Sequence, residues 1–382
     1  MDQKSFLEHF GVSQDEIDSM KKRARIETFN KKALLARLST ARRTPDAGAY
    51  ISEQLWACHR VLSAAGVHNL MYLTRDLVER GVARLCWEEL LDRRFGDPMN
   101  VQNRAVWLLF HVCLQAQRDF ALDVCTARSR EDLLTGRFLE GIKGACAVWA
   151  ESSSSYLRRV ENVLEVCSLD LTVGGAEQET GGDFALILDI KGIPSCAEDF
   201  EHSVVTLTEG GPRGDLFVPL IFQAKRYTGS TADIARINST QGYQFNKLRQ
   251  RDCASAYIFY ENGDNGIDYP ALPMVKPAHK CLPVESHRKT GVFEGSVDFA
   301  TYILRAANGF DDMPAAQTRE DALNMILANA SPEGLTKLVV LGNTAGLKRT
   351  YEEALAALRE EIESGLSKDP TQHERPRTNR PR

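Results

Sequence analysis

Nowhere in the chain do eighteen apolar residues run together, so no segment is built to cross a bilayer as a helix. The opening Met1-Asp2-Gln3-Lys4-Ser5 lacks the apolar block of a secretory signal. No Cys-x-x-Cys pair occurs. The nine cysteines (Cys58, Cys86, Cys113, Cys125, Cys146, Cys167, Cys196, Cys253 and Cys281) stand singly, and their odd number argues against a disulfide framework or a structural zinc. A cytoplasmic protein with reduced core thiols is the expectation. No phosphate-binding Gly-x-x-x-x-Gly-Lys-Ser/Thr loop and no Gly-x-Ser-x-Gly hydrolase elbow are present. The eight histidines form no metal pattern; His279, Cys281 and His287 lack the second cysteine pair of a zinc site. Net positive charge is missing too: the balance is −5, so any nucleic-acid contact must come from a local patch.

What is there suits a soluble globular protein of two or three domains: 382 residues, 43% hydrophobic and 26% charged. Residues 1–128 read as a helical N-terminal region. Apolar residues recur at helical spacing in Leu55, Cys58, Val61 and Leu62, and again in Val106, Leu109, Phe110, Cys113 and Leu114. Thr44-Pro45-Asp46 reads as a helix start, and Phe95-Gly96-Asp97-Pro98 as a helix end with a turn. A second organisation begins at Ser129-Arg130-Glu131-Asp132, a cap with acids in the first turn. Leu134, Phe138, Ile142 and Ala145 then mark one apolar face. Another helix is expected over 154–166. Strands are expected near 184–190, 203–208, 216–225 and 255–260, with a helix over 241–251 between the last two. Residues 261–291 read as loop-rich. Helical pattern returns over 296–307 and from 319 to about 366, and residues 368–382, with three prolines, read as a disordered basic tail. The expected fold class is α/β, a mixed sheet flanked by helices, with helical segments at 1–128 and 311–367 around a central domain at 129–310.

Two segments carry chemistry. One is Glu179-Thr180-Gly181-Gly182-Asp183 leading into Phe184-Ala185-Leu186-Ile187-Leu188; the other is Leu220-Ile221-Phe222-Gln223-Ala224-Lys225-Arg226. Strand alternation puts Gln223 and Lys225 on one face. Asp183 would then supply an anionic ligand and Gln223 a neutral oxygen for a hard cation such as Mg²⁺ or Mn²⁺, while Lys225 orients water or meets charge developing on phosphorus. From Lys225 to Arg251 the only acid is Asp233, and Arg226, Gln244, Lys247 and Arg249 are the candidate nucleic-acid contacts.

This arrangement resembles the PD-(D/E)XK nuclease superfamily over roughly residues 129–310, in a variant with Gln in place of the second acid. The resemblance places Asp183 at the metal-binding aspartate, Gln223 at the acid-or-glutamine position and Lys225 at the lysine. It implies a restriction-endonuclease-like sheet, and assigns Glu131 and Glu179 to the glutamates that several members place before the aspartate. It implies a metal-dependent nuclease acting on DNA and, by analogy with standalone Gln-x-Lys nucleases, a part in bacterial defence against phage.

Each residue also has a plainer reading. Asp183 follows two glycines as a turn residue would, Lys225 could guard a strand edge, and Glu131 is a common first-turn acid. Asp189-Ile190-Lys191 is a rival Asp-x-Lys, read as an exposed strand end. Pro219 demands an edge position or a bulge in its strand. A non-catalytic module binding nucleic acid or protein on the same fold is the alternative function, with the helical N-terminus as the surface for a second copy or a partner protein.

Overall fold

The computed structural model describes residues 13–46, 49–50, 53–54, 95–101, 103–152, 164–170, 183–194, 213–235, 237–238, 242–262, 269–307, 313–327 and 337–366. Glu179, the segment from Leu55 to Leu62, the expected strand at 203–208 and the C-terminal 368–382 lie outside them.

The centre is a seven-stranded mixed sheet. Its strands are β1 (Glu165–Asp170), β2 (Phe184–Pro194), β3 (Arg213–Tyr227), β7 (Ala254–Glu261), β8 (Met274–Pro277), β10 (Val297–Asp298) and β11 (Lys337–Gly342). The short strands β4 (Thr231–Asp233) and β9 (Lys289–Gly291) form a separate ribbon, and β5 (Ile237–Asn238) pairs β6 (Gly242–Tyr243). Across the sheet the order is β1-β11-β2-β3-β7-β8-β10. β2 and β3 form an antiparallel hairpin, and β7 returns parallel to β3 after a crossover.

Helices α1 (Gln14–Glu27), α2 (Lys31–Arg43), α3 (Arg104–Asp119) and α4 (Glu131–Ser152) precede the sheet. α5 (Gln244–Arg249) lies in the crossover, α6 (Phe299–Ala307) follows β10, and α7 (Arg319–Leu327) and α8 (Leu347–Leu366) flank β11. Ser13 and Glu16 close a capping box on α1, and Asn30 caps α2. The apolar stripe of α4, with Leu134, Phe138 and Ile142 fully buried, packs on one sheet face. There Phe138 meets Tyr260 and Phe299, while Phe222 meets Phe299 and Tyr302 of α6. The opposite face carries Phe217, Gln223, Lys225, Tyr257 and Phe259, by strand alternation.

Helices α1, α3 and α4 share one continuous apolar core with the sheet, while Ala36 of α2 packs in a separate small cluster with Ala121 and Leu272. Buried Asp298 sits at the hub: it accepts from Tyr50 Oη (2.9 Å), Gln54 Nε2 (2.7 Å), Gln117 Nε2 (2.9 Å) and the Thr301 hydroxyl (2.7 Å). All six described cysteines are free and buried. No described helix is long and apolar enough to cross a membrane.

Four expectations are corrected. The region from 319 to 366 is not continuously helical, because Lys337-Leu338-Val339-Val340-Leu341-Gly342 forms β11, inserted between β1 and β2. Of the helix expected over 154–166, residues 154–163 lie outside the described residues, and its last two, Glu165 and Val166, belong to β1 instead. The loop-rich 261–291 contributes β8 to the main sheet. Asp189 is not at an exposed strand end: it is fully buried, bound by Arg319 at 2.5 Å and by Tyr351 Oη at 3.2 Å. Pro219 finds the edge it needs. The Phe217 carbonyl turns away from β2 to accept from Ala316, and alternation sends the Pro219 nitrogen the same way. On that side the β7 ladder starts only at Leu220.

Gly342 is required where it stands. A Cβ there would fall 2.6 Å from the Asp189 carbonyl oxygen and 2.8 Å from Leu347.

Candidate active site

The site forms where β2 begins and β3 ends, a consequence of the hairpin register. Phe184 lies opposite Phe222, and the Asp183 amide donates to the Phe222 carbonyl at 2.8 Å, so Asp183 stands one step further along, level with Gln223. Its carboxylate Oδ2 accepts from Gln223 Nε2 (2.8 Å) and from the Ala224 amide (2.7 Å). The Gln223 amide is therefore fixed with its nitrogen towards the acid, and its Oε1 is left buried without a hydrogen-bond partner. Gln223 as a whole is 1% exposed.

Two residues on, Lys225 leaves the sheet on the same face and reaches Glu131 at the first turn of α4. The Nζ–Oε1 distance is 3.4 Å, and Glu131 Oε2 accepts the Arg226 amide at 2.8 Å. The turn before α4 is held by buried Asn262, which follows β7. Asn262 donates to the carbonyls of Cys125 (3.0 Å) and Ala127 (2.7 Å) and accepts the Ser129 amide (2.9 Å). Its own amide donates to the Tyr227 carbonyl at 3.1 Å. Asn262 thus ties the end of β3 to the start of α4. No sequence pattern marks it, since its partners are backbone groups far away in sequence.

Electrostatics follow from this packing. Burial raises the Asp183 pKa to about 6. The Glu131 charge adds to the rise, and the Lys225 ammonium, the Ala224 amide and the Gln223 amide oppose it. Asp183 thus holds its proton to a higher pH than an ordinary carboxyl group does.

Asp183, Gln223, Lys225 and Glu131 are therefore brought together; Glu179 lies outside the described residues. The candidate nucleic-acid contacts divide. Arg226 is exposed beside the site, its guanidinium 3.4 Å from the Ser129 carbonyl. Arg249, exposed over the Phe245 ring at 5.5 Å, belongs to α5, which leads into the start of β7 beside Leu220. Lys225 and Arg226 lie beside Phe259 and Tyr260 at the far end of that strand. Lys247 and Gln244 are half-buried on α5, and Gln244 Oε1 has no partner.

Among the described residues no group of three or more His, Cys, Asp or Glu side chains is placed to hold a metal ion. A cation here would have to be held by one carboxylate and the Gln223 oxygen, with waters completing its shell. The unpartnered, buried Oε1 of the residue paired to the Asp183 carboxyl fits that donor set. Comparison with models of protein families, with curated proteins and with solved structures found no match to this chain.

Proposed function

We propose that the chain is a metal-dependent nuclease hydrolysing phosphodiester bonds, with DNA as its substrate. The observation that carries this reading is the buried Gln223 Oε1, unpartnered and locked beside Asp183, with the Lys225 ammonium two residues further along the same face. An orphaned oxygen in such a place is costly unless something binds it.

In this reading Asp183 and Gln223 hold Mg²⁺ or Mn²⁺, which when bound polarises the phosphate and makes a coordinated water more acidic. Asp183 must lose its proton first, and its Ala224 and Gln223 hydrogen bonds keep Oδ2 oriented as it does. Lys225 offers its ammonium to the phosphate oxygens, where negative charge grows as the bond to phosphorus forms. Glu131 holds the lysine head in place while fixing the backbone of Arg226, whose exposed side chain meets the neighbouring phosphate. A defence role against phage DNA follows only as an analogy from the superfamily resemblance.

The test is conversion of supercoiled plasmid DNA with and without Mg²⁺ or Mn²⁺. Wild type is expected to nick or linearise it only with metal, and Asp183→Ala and Lys225→Ala to lose at least about a hundredfold in rate. Metal-independent cleavage, or wild-type rates in both variants, overturns the proposal. The pairing of Asp183 with the Gln223 amide also suits a binding module that needs no metal. That alternative predicts no Asp183-dependent heat on titrating Mg²⁺ or Mn²⁺ into the protein.

A further inference from the structure

Gln223 is not alone in lacking a partner. Register places Tyr257 of β7 directly opposite it, so the two side chains leave the sheet on the same face as neighbours. Both residues are 1% exposed. The Tyr257 hydroxyl, like Gln223 Oε1, is buried without a hydrogen-bond partner. Next in the row is Lys276 of β8, opposite Tyr257, but its ammonium donates to the Thr290 hydroxyl (3.0 Å) and the Gly291 carbonyl (3.1 Å). The residues that carry the two orphaned oxygens are therefore cross-strand neighbours, in the row that runs from Asp183 to an ammonium already engaged elsewhere.

We propose that Tyr257 is a positioning residue of the site, sharing one bound water with Gln223 Oε1. This inference rests on the hydrolytic reading above. One water satisfies both atoms at once: it donates to Gln223 Oε1 and accepts from the Tyr257 hydroxyl. A carbonyl oxygen has two lone pairs, so Gln223 can meet a cation with one and this water with the other. Burial pushes the phenol pKa well up, and the neighbouring Asp183 adds to the rise, so the hydroxyl keeps its proton and stays a donor. No bond to substrate is assigned to Tyr257; it acts by fixing the water and, through it, the Gln223 oxygen.

Tyr257→Phe removes the hydroxyl and keeps the ring. The variant is expected to melt within about 4 °C of wild type, because no protein hydrogen bond is lost. Its Mn²⁺ affinity by calorimetry should fall about tenfold, and cleavage should lose kcat with KM for DNA nearly unchanged. In a Gln223→Met background the same substitution should have no further effect on melting of the metal-free protein, since the shared water is already gone. Unchanged Mn²⁺ affinity in Tyr257→Phe, additive melting shifts in the double variant, or a collapse of the fold each overturns the inference. Wild-type protein that shows no Asp183-dependent metal heat overturns the nuclease reading instead; the metal-free melting cycle still tests the shared water by itself.

Discussion

Lys225 Nζ lies 3.4 Å from Glu131 Oε1 across ninety-four positions of sequence, and the same carboxylate takes the amide hydrogen of the residue after the lysine. One side chain at a helix start thus fixes both the head of Lys225 and the backbone that carries it. Lys225→Met keeps the aliphatic stem and removes the charge, so the protein should stay within about 1 kcal/mol of wild-type stability while cleavage falls at least about a hundredfold. Glu131→Gln keeps an acceptor for the Arg226 amide but leaves the ammonium unpaired; with Glu131 itself partly exposed, the cost should be about 1–2 kcal/mol. Urea unfolding and plasmid cleavage read the two effects separately. Equal loss of stability in both variants would show that the pair is only structural.

Asp183 makes stability depend on pH with a defined sign. Its folded pKa of about 6 lies above the ordinary 3.8, so the folded protein binds a proton that the unfolded chain releases. That contribution favours folding at low pH and is lost as pH rises from 3.8 through 6. Asp183→Asn, whose amide oxygen still accepts from Ala224 and Gln223, should therefore be more stable than wild type by about 2–3 kcal/mol at pH 8. The difference should shrink below pH 6 and vanish near pH 4. Denaturant unfolding of the two proteins across that range measures it, and a difference that does not change with pH contradicts the assignment.

Asn262 should matter far more than its distance from the chemistry suggests. Asn262→Ala strips the Cys125 and Ala127 carbonyls and the Ser129 amide of their partner, at a cost of about 2–3 kcal/mol. Asn262→Asp should be no better, because it turns an oxygen towards two carbonyls. Both should loosen the start of α4 and lower cleavage through Glu131. Hydrogen exchange at Ser129 and Arg226 amides is the direct reading: faster exchange in both variants is expected, and unchanged exchange at Arg226 would break the link.

Arg319 is the partner of a carboxylate with no access to water. Arg319→Met would leave Asp189 with only the Tyr351 hydroxyl among the contacts it keeps, and should cost about 3–5 kcal/mol. The double variant Arg319→Met with Asp189→Leu should recover most of that loss. Thermal melting of the set checks this, and a failure to recover would place the cost in packing over Phe217 instead.

The sheet centre was legible from sequence because its signals are local. Phe184 to Leu188 and Ser255 to Tyr260 are apolar, β-rich runs, and α3 and α4 show clear helical spacing. The convergence of Asp183, Gln223 and Lys225 could also be anticipated, since strand alternation and a hairpin suffice to bring them together. β11 could not. Leu338 to Leu341 is a short apolar run inside a long helical pattern, and a buried strand of that length reads the same as a buried helix segment. Asp189 misled because its neighbours Gly192 and Pro194 suggest an exposed end, while its partner Arg319 lies 130 residues away. Tyr257 and Asn262 carry no motif; their importance lies in register and backbone contacts that exist only once the sheet has formed.

The late insertion of β11 has a consequence for how this chain is made. Synthesis delivers β1, β2, β3 and β7 first, yet β1 reaches the sheet only through β11, and the outer side of β2 stays unpaired until residues 337–342 arrive. A ribosome-bound chain holding every strand that bears Asp183, Gln223 and Lys225 therefore still presents an open, apolar β-edge, the kind of surface that recruits chaperones or self-associates. Completion of the sheet therefore waits until residues 337–342 have been made, and a chain cut short before that strand would be prone to precipitate instead of forming a smaller working protein.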